Sequence, residues 1–180
     1  TTVAATAQAS DEELLGLAAG RAAAAVSHGT TTMEVKTGYG LTPDAELRLL
    51  GLVGELAGRT PLRLEATYLG AHVVPAGRDR DDYVAEVRAT LPAAAAAGAR
   101  WCDVFCDEGV FTVEEARRIL SAARAEGLGL RLHAEEIART GAAGLAAELG
   151  CASADHLEHV SAEDARAMAA AGVVAVLLPT

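Results

Sequence analysis

The sequence predicts an α/β fold: a partial (β/α)8, TIM-like barrel of parallel strands, with about six of the eight strands present. Short β-branched or apolar segments alternate with helical segments along the whole chain. The repeated unit is roughly 20 to 35 residues long, as in a barrel. Two successive strands each end in a histidine, His133 and His156. A doubly wound nucleotide-binding sheet comes second, because no glycine-rich phosphate loop follows the first strand.

The first half of the chain is predicted to contain three helices and two strands. Ser10 and Glu13 have the spacing of a capping box and begin the first helix. Thr42, as N-cap, and Pro43 begin the second helix. The predicted elements are a helix to about residue 28, a strand over 30–36, a helix over 42–58, a strand over 62–69 and a helix over 81–97.

The alternation becomes tighter in the second half. Thr112 and Glu115 form another capping box, and Gly127, Gly150 and Gly172 are predicted to end three helices. The last strand is continuously apolar, so both of its faces are predicted to be buried. The predicted elements are strands over 101–106, 129–133, 152–155 and 173–178, and helices over 112–127, 140–149 and 161–171.

A closed barrel needs eight strands, and six are found. The chain starts in a helix and stops just after a strand, so both ends look cut. We therefore expect residues 1–180 to be a fragment of one barrel domain that lacks its first-strand and last-strand segments. Two unclosed strand edges also predict self-association or insolubility of the isolated piece.

Composition limits the class of protein. The chain has 180 residues, 51% of them hydrophobic, which is enough for one domain with a sizeable core. No apolar run reaches the roughly 18 to 20 residues of a membrane span. A net charge of −10 disfavours nucleic acid and anionic membranes as partners. Cys102, Cys106 and Cys151 form an odd, sparse set, which favours reduced thiols in the cytoplasm; Cys102 and Cys106 share a strand face and are interpreted as core.

Histidines at strand ends are candidate metal ligands. His133 directly follows a buried strand, where a neutral imidazole could bind zinc or iron, or could simply be hydrogen-bonded within a loop. His156 could be a second ligand or a proton shuttle, or one half of a structural pair with Asp155. His72 follows another strand and points to the same edge, whereas His159 is expected to face solvent.

Other polar residues could have either a functional or a purely structural role. Tyr39 lies between two glycines and could contact a substrate, or could be an ordinary turn tyrosine. Glu136 could bind a polar substrate group or act as acid and base, or could be a solvated carboxylate at a helix start. Glu34 and Lys36 alternate on one strand and are predicted to form an ion pair inside the barrel.

Several segments resemble imidazolonepropionase, a family of the amidohydrolase superfamily. The resemblance runs from end to end and in the right order, and the Glu-Val-Lys-Thr-Gly-Tyr-Gly segment is the most specific to the family. The segments are Thr-Met-Glu-Val-Lys-Thr-Gly-Tyr-Gly-Leu over 32–41, Tyr-Leu-Gly-Ala-His over 68–72, Leu-His-Ala-Glu-Glu over 132–136, Ser-Ala-Asp-His-Leu-Glu over 153–158 and Val-Ala-Val-Leu-Leu-Pro over 174–179.

The resemblance implies a cytoplasmic enzyme of histidine degradation, a homodimer when complete. Such an enzyme hydrolyses the ring of 4-imidazolone-5-propanoate, a small-molecule substrate, to N-formimidoyl-L-glutamate with one Zn²⁺ or Fe³⁺ in an amidohydrolase barrel. By similarity, His133 is the fifth-strand metal ligand, and Tyr39, His72 and Glu136 bind substrate. His156 matches the catalytic histidine of the sixth strand, which helps to polarise the attacking water.

The sequence also departs from the family pattern. No His-x-His pair occurs, so the first-strand ligands are expected upstream of residue 1, together with the arginine that pairs the substrate carboxylate. The last aspartate of the metal sphere is expected beyond residue 180. One ligand of four cannot hold a catalytic metal tightly, so this piece is expected to be inactive alone. The alternatives are another amidohydrolase acting on a cyclic amide or amidine, deaminase-like in chemistry, and a non-catalytic α/β scaffold.

Overall fold

The computed structural model describes residues 2–178. Six parallel strands form one curved half-barrel in the order of the sequence, and helices connect them. The strands are β1 (Thr32–Lys36), β2 (Arg63–Ala71), β3 (Trp101–Cys106), β4 (Gly129–Ala134), β5 (Ser153–His156) and β6 (Val174–Val176). The helices are α1 (Thr2–Gln8), α2 (Asp11–Ser27), α3 (Pro43–Ala57), α4 (Arg80–Ala96), α5 (Val113–Ala125), α6 (Ala142–Leu149) and α7 (Ala162–Ala171). The predicted fold class is confirmed.

The helix boundaries follow from local chemistry. The capping box at Ser10 is present, because its hydroxyl accepts the amide of Glu13 and the Glu13 carboxylate accepts the amide of Ser10. Thr112 begins α5 in the same way. Helix α1 was not predicted; it is seven residues long and none of its residues is buried, so neither length nor an apolar stripe marks it in the sequence.

The two faces of the sheet differ in character. On β3, Cys102, Val104 and Cys106 face the helices and are fully buried, as predicted for the two cysteines. Asp103 lies between them and faces the concave side, where it contacts residues of β1 and β4. The main core therefore fills the space between the sheet and its helices, while the concave side carries charged groups.

The prediction for the last strand was wrong in two respects, its length and its burial. Strand β6 is three residues long, and the side chains of Val174 and Leu177 are 60% and 64% exposed. The strand pairs only with β5 and forms the edge of the described sheet, so its apolar residues are not covered there. Pro179, which ends the segment that resembles imidazolonepropionase, lies outside the described residues.

Within residues 2–178, no helix combines the length and apolarity needed to span a membrane.

Candidate active site

A row of rings crosses the carboxyl ends of the strands. In parallel sheets these ends lie at one edge, where loops can present side chains to a common site. The ring centroids of neighbours are separated by 5.0 Å, 6.1 Å, 5.6 Å and 5.4 Å in turn. We call this set the strand-end row; in order, it consists of Tyr39, His72, Phe105, His133 and His156. The structure thus brings together four of the five residues that the sequence singled out.

Glu136, the fifth, joins the row at its far end. Its Oε2 atom lies 3.5 Å from Nε2 of His156. The backbone at and beside these two residues has unusual conformations, with positive φ at Glu135 (56°), His156 (78°) and Leu157 (67°). Residues other than glycine adopt such φ values at a cost in free energy, and this backbone strain often marks functional sites. His159 is exposed, as predicted.

A buried ionic cluster lies beside the row on the concave face. Lys36 of β1 donates to Asp103 of β3 at 2.6 Å and to Asp155 of β5 at 2.5 Å. The predicted pair of Lys36 with Glu34 is present, but at 3.7 Å it is the longest of the three contacts. Asp103 was missed in the sequence, although an acid inside the otherwise apolar Trp101–Cys106 strand was a usable signal.

The cluster keeps its members charged. Burial by itself lowers the pKa of Lys36, but Asp103 and Asp155 outweigh burial and raise that pKa above its ordinary value. Burial likewise raises the pKa of Asp103, and the hydrogen bonds and charges of His133 and Lys36 overcome it, so the pKa falls below its ordinary value. Both groups are therefore ionised at neutral pH.

Asp103 also fixes the protonation of His133. Both carboxylate oxygens lie 3.0 Å from Nδ1 of the imidazole, and an ionised carboxylate can only accept, so Nδ1 carries the hydrogen. Burial lowers the pKa of His133, but the hydrogen bond and charge of Asp103 prevail and raise it. In the neutral ring, Nε2 then carries the free lone pair. This is the usual arrangement of a metal-binding histidine whose other ring nitrogen donates to a carboxylate.

The described residues fit part of a metal site. One ligand atom each from Asp103, His133 and Asp155 lies within 4.8 Å of the others. However, the ammonium of Lys36 already contacts both carboxylates, so these acids serve the lysine and the histidine rather than a metal. Of these three residues, His133 is therefore left as the metal ligand. A tetrahedral zinc site needs about three protein ligands, so the three residues supply only part of one.

Two further buried carboxylates were missed by sequence reasoning. Asp107 follows β3 and accepts the amides of Glu136 at 2.7 Å, Ile137 at 3.0 Å and Ala138 at 3.1 Å, so it fixes the loop that carries Glu136. Glu46 of α3 accepts three amides of the loop that carries Tyr39. An acid that binds backbone amides of a distant loop has no sequence signature, because its partners are independent of side-chain type.

A parallel half-barrel with imidazoles and carboxylates gathered at the strand carboxyl ends has the arrangement of a (β/α)-barrel active site. Solved structures show the same fold: an uncharacterised protein (TM-score 0.66, 17% identity, 98% of this chain and 48% of that one) and A. niger ochratoxinase (TM-score 0.58, 18% identity, 87% of this chain and 44% of that one). No family model matches the sequence.

Curated relatives give the particular family. Imidazolonepropionases are 52% identical in Halobacterium salinarum over 179 residues, 48% in Desulfotalea psychrophila over 181 residues and 52% in Myxococcus xanthus over 184 residues. Each alignment covers 98–99% of this chain. Over nearly its whole length the chain is homologous to these imidazolonepropionases, and it spans 43–44% of their length. The matches do not favour the other amidohydrolase or the scaffold.

Proposed function

We propose that the complete protein is an imidazolonepropionase, which hydrolyses the ring of 4-imidazolone-5-propanoate to N-formimidoyl-L-glutamate in histidine degradation. The strand-end row carries this proposal, because it places the residues that resemble the family's site along one edge of the sheet. We also propose that residues 1–180 are one part of a single barrel domain. The cytoplasm as its location and a homodimer as its complete form stay predictions from the resemblance.

The metal would be Zn²⁺ or Fe³⁺, with Nε2 of His133 as its ligand from the described residues. When bound, the ion acidifies water and polarises the ring carbonyl, which lets an uncharged amide be hydrolysed at neutral pH. Asp103 supports this role by holding the hydrogen on Nδ1 at 3.0 Å. The remaining ligands would come from segments outside residues 1–180.

His156 and Glu136 are proposed to move the protons. In the hydrolysis, the oxygen of water bonds to the carbonyl carbon, the ring C–N bond breaks, and the ring nitrogen gains a proton. His156 would accept the proton that water releases and return it to the leaving nitrogen. Glu136, 3.5 Å from the imidazole, would stabilise its charged form between the two transfers and contact the imidazolone ring.

Tyr39 and His72 are proposed to bind the substrate ring. The two rings meet edge to face at 5.0 Å, and Tyr39 is 42% exposed, so it is open to a ligand. Nδ1 of His72 donates to the carbonyl of Gly38 at 2.8 Å, since a carbonyl can only accept. In the neutral ring, Nε2 of His72 is then an acceptor that can receive an N–H of the imidazolone.

The test is turnover of 4-imidazolone-5-propanoate by the complete, metal-loaded protein and by its His133→Ala variant. We expect the variant to lose about a hundredfold or more in turnover and to lose bound metal, measured by elemental analysis. His28→Ala is the matched control, because His28 is exposed at the end of α2, which leads to the opposite mouth of the half-barrel.

The result separates the three readings of the sequence. Turnover that survives in His28→Ala and collapses in His133→Ala supports both the substrate and the ligand. A metal-bound protein that leaves this substrate intact would refute the substrate assignment and favour another amidohydrolase. A complete protein that binds no metal and opens no cyclic amide would favour the scaffold.

A further inference from the structure

Glu46 is a buried carboxylate whose contacts are directed at one loop. Its side chain is 1% exposed, and it lies in the first turns of α3. Oε2 accepts the amide of Gly38 at 2.8 Å, while Oε1 accepts those of Gly40 at 2.7 Å and Leu41 at 2.8 Å. Three hydrogen bonds from neighbouring amides to one charged group define the path of the loop between β1 and α3.

This loop has a backbone that needs such support. Gly38 has φ of 109°, and Leu41 has φ of 56°, a left-handed value that costs a branched side chain free energy. At Gly40, an added Cβ would come within 2.7 Å of the backbone of Ala45 at the start of α3. The loop is therefore packed directly on α3, and the carboxylate of Glu46 stabilises a conformation that the chain would otherwise avoid.

Two proposed substrate contacts depend on the same loop. Tyr39 lies between the amides that Glu46 binds. The carbonyl of Gly38 accepts from Nδ1 of His72 at 2.8 Å, which sets the tautomer of that imidazole. The ring of Tyr39 in turn stands edge to face on His72. One carboxylate thus determines the placement of a tyrosine and, through a single peptide unit, of a histidine from the next strand.

We propose that Glu46 is a positioning residue for substrate binding. Through the backbone of residues 38–41 it orients Tyr39 and His72 together, so that the two side chains bind a planar, polar ring. The inference rests on the proposed function for the identity of that ring. Side chains that are already ordered bind a ligand more tightly, because binding then does not have to restrict their conformational freedom. Glu46 itself lies under the loop and does not contact the substrate.

The test is Glu46→Gln in the complete protein, with KM and kcat measured on 4-imidazolone-5-propanoate. Glutamine keeps the volume but offers a single acceptor oxygen. That oxygen can retain Gly40 and Leu41, and the new NH2 group then faces the amide of Gly38, so two donors meet. We expect KM to rise about tenfold, the loss from one charge-assisted hydrogen bond, with kcat changed much less.

Glu115→Gln is the matched control. Glu115 is also a buried carboxylate in the first turn of a helix, and it accepts the amide of Thr112 at 2.8 Å and pairs with Arg80. Its described partners, Thr112 and Arg80, lie outside the strand-end row, so its loss should lower stability and leave KM unchanged. An equal rise of KM in both variants would overturn the proposal, because it would make the effect a general loss of stability.

A second readout does not depend on turnover. ¹⁵N NMR of the histidine rings should show a hydrogen on Nδ1 of His72 in the wild type, and this signal should shift or vanish in Glu46→Gln but not in Glu115→Gln. A wild-type ring with its hydrogen on Nε2, or a signal unchanged in Glu46→Gln, would overturn the proposal even if that variant folded poorly. If the wild type leaves the substrate intact, the proposed function fails, and the NMR comparison still decides the role of Glu46.

Discussion

Removal of the ammonium of Lys36 tests the buried cluster most directly. In Lys36→Met, the carboxylates of Asp103 and Asp155 lose the cation that contacts both, at 2.6 Å and 2.5 Å. The side chains of Asp103 and Asp155 are 0% and 10% exposed, and that of Lys36 is 21% exposed, so water replaces the ammonium only partly. The variant therefore leaves two like charges facing each other inside the half-barrel.

Two arguments give the size of the loss. Ligand atoms of Asp103 and Asp155 lie within 4.8 Å of each other, and two like charges at that distance repel by about 3 kcal/mol at an effective dielectric constant of about 20. Breaking a buried ion pair by removal of one partner costs about 3 to 5 kcal/mol. We expect Lys36→Met to lower the free energy of unfolding by about 3 kcal/mol, because the site is not fully dry.

Urea unfolding of the complete protein, followed by circular dichroism, measures this loss. Arg59→Met is the control, since it removes an exposed pair with Glu12 whose side chains are 39% and 78% exposed. Exposed ion pairs of this kind contribute little to stability, because water and salt screen them. A loss in Lys36→Met as small as that in Arg59→Met would refute the reasoning, because the cluster would then be solvated or replaceable.

Two further predictions concern other buried groups. Asp107→Asn should lower kcat/KM about tenfold and speed hydrogen exchange at the amides of Glu136 and Ile137, since one of the hydrogen bonds that hold their loop is lost; unchanged exchange would contradict this. Burial raises the pKa of the Cys106 and Cys151 thiols to about 12 each, from an ordinary value near 9. Because the folded state keeps these thiols protonated, their contribution to stability is complete below pH 9 and is lost as the pH rises toward 12. At pH 10, each buried thiol should therefore have lowered the free energy of unfolding by about 1.4 kcal/mol. Urea unfolding at pH 8 and pH 10 checks this, and Cys106→Ala should show a smaller loss between the two pH values than the wild type.

Apart from α1, the order and type of the elements could be predicted from the sequence because they depend on near neighbours. Trp101–Cys106 was predicted with its observed bounds, since a short, mostly apolar run followed by a capping box is a local pattern. His133 and His156 were found for the same reason, because each directly ends a recognisable strand. The family resemblance supplied Tyr39, whose position between glycines alone was equally consistent with an ordinary turn.

The partners of these residues were decided by the tertiary structure. Lys36 contacts Asp103 and Asp155, which lie 67 and 119 residues away, and the sequence suggested only its strand neighbour Glu34. Such contacts depend on how far the strands twist and how they are staggered, which no single segment specifies. The exposure of Val174 has the same origin, because an apolar strand is buried only where other elements cover it.

The carboxylates under the loops show this division most clearly. From the sequence, Glu46 is an ordinary acid near a helix start, and Asp107 is an ordinary acid just after a strand. In the folded chain, each binds backbone amides of a loop that carries a proposed substrate contact. The sequence by itself determined the fold, the strand-end histidines and the family resemblance. Only the tertiary structure decided which buried charges hold them in place, because a buried carboxylate is stabilised by whichever donors the fold brings within hydrogen-bond distance.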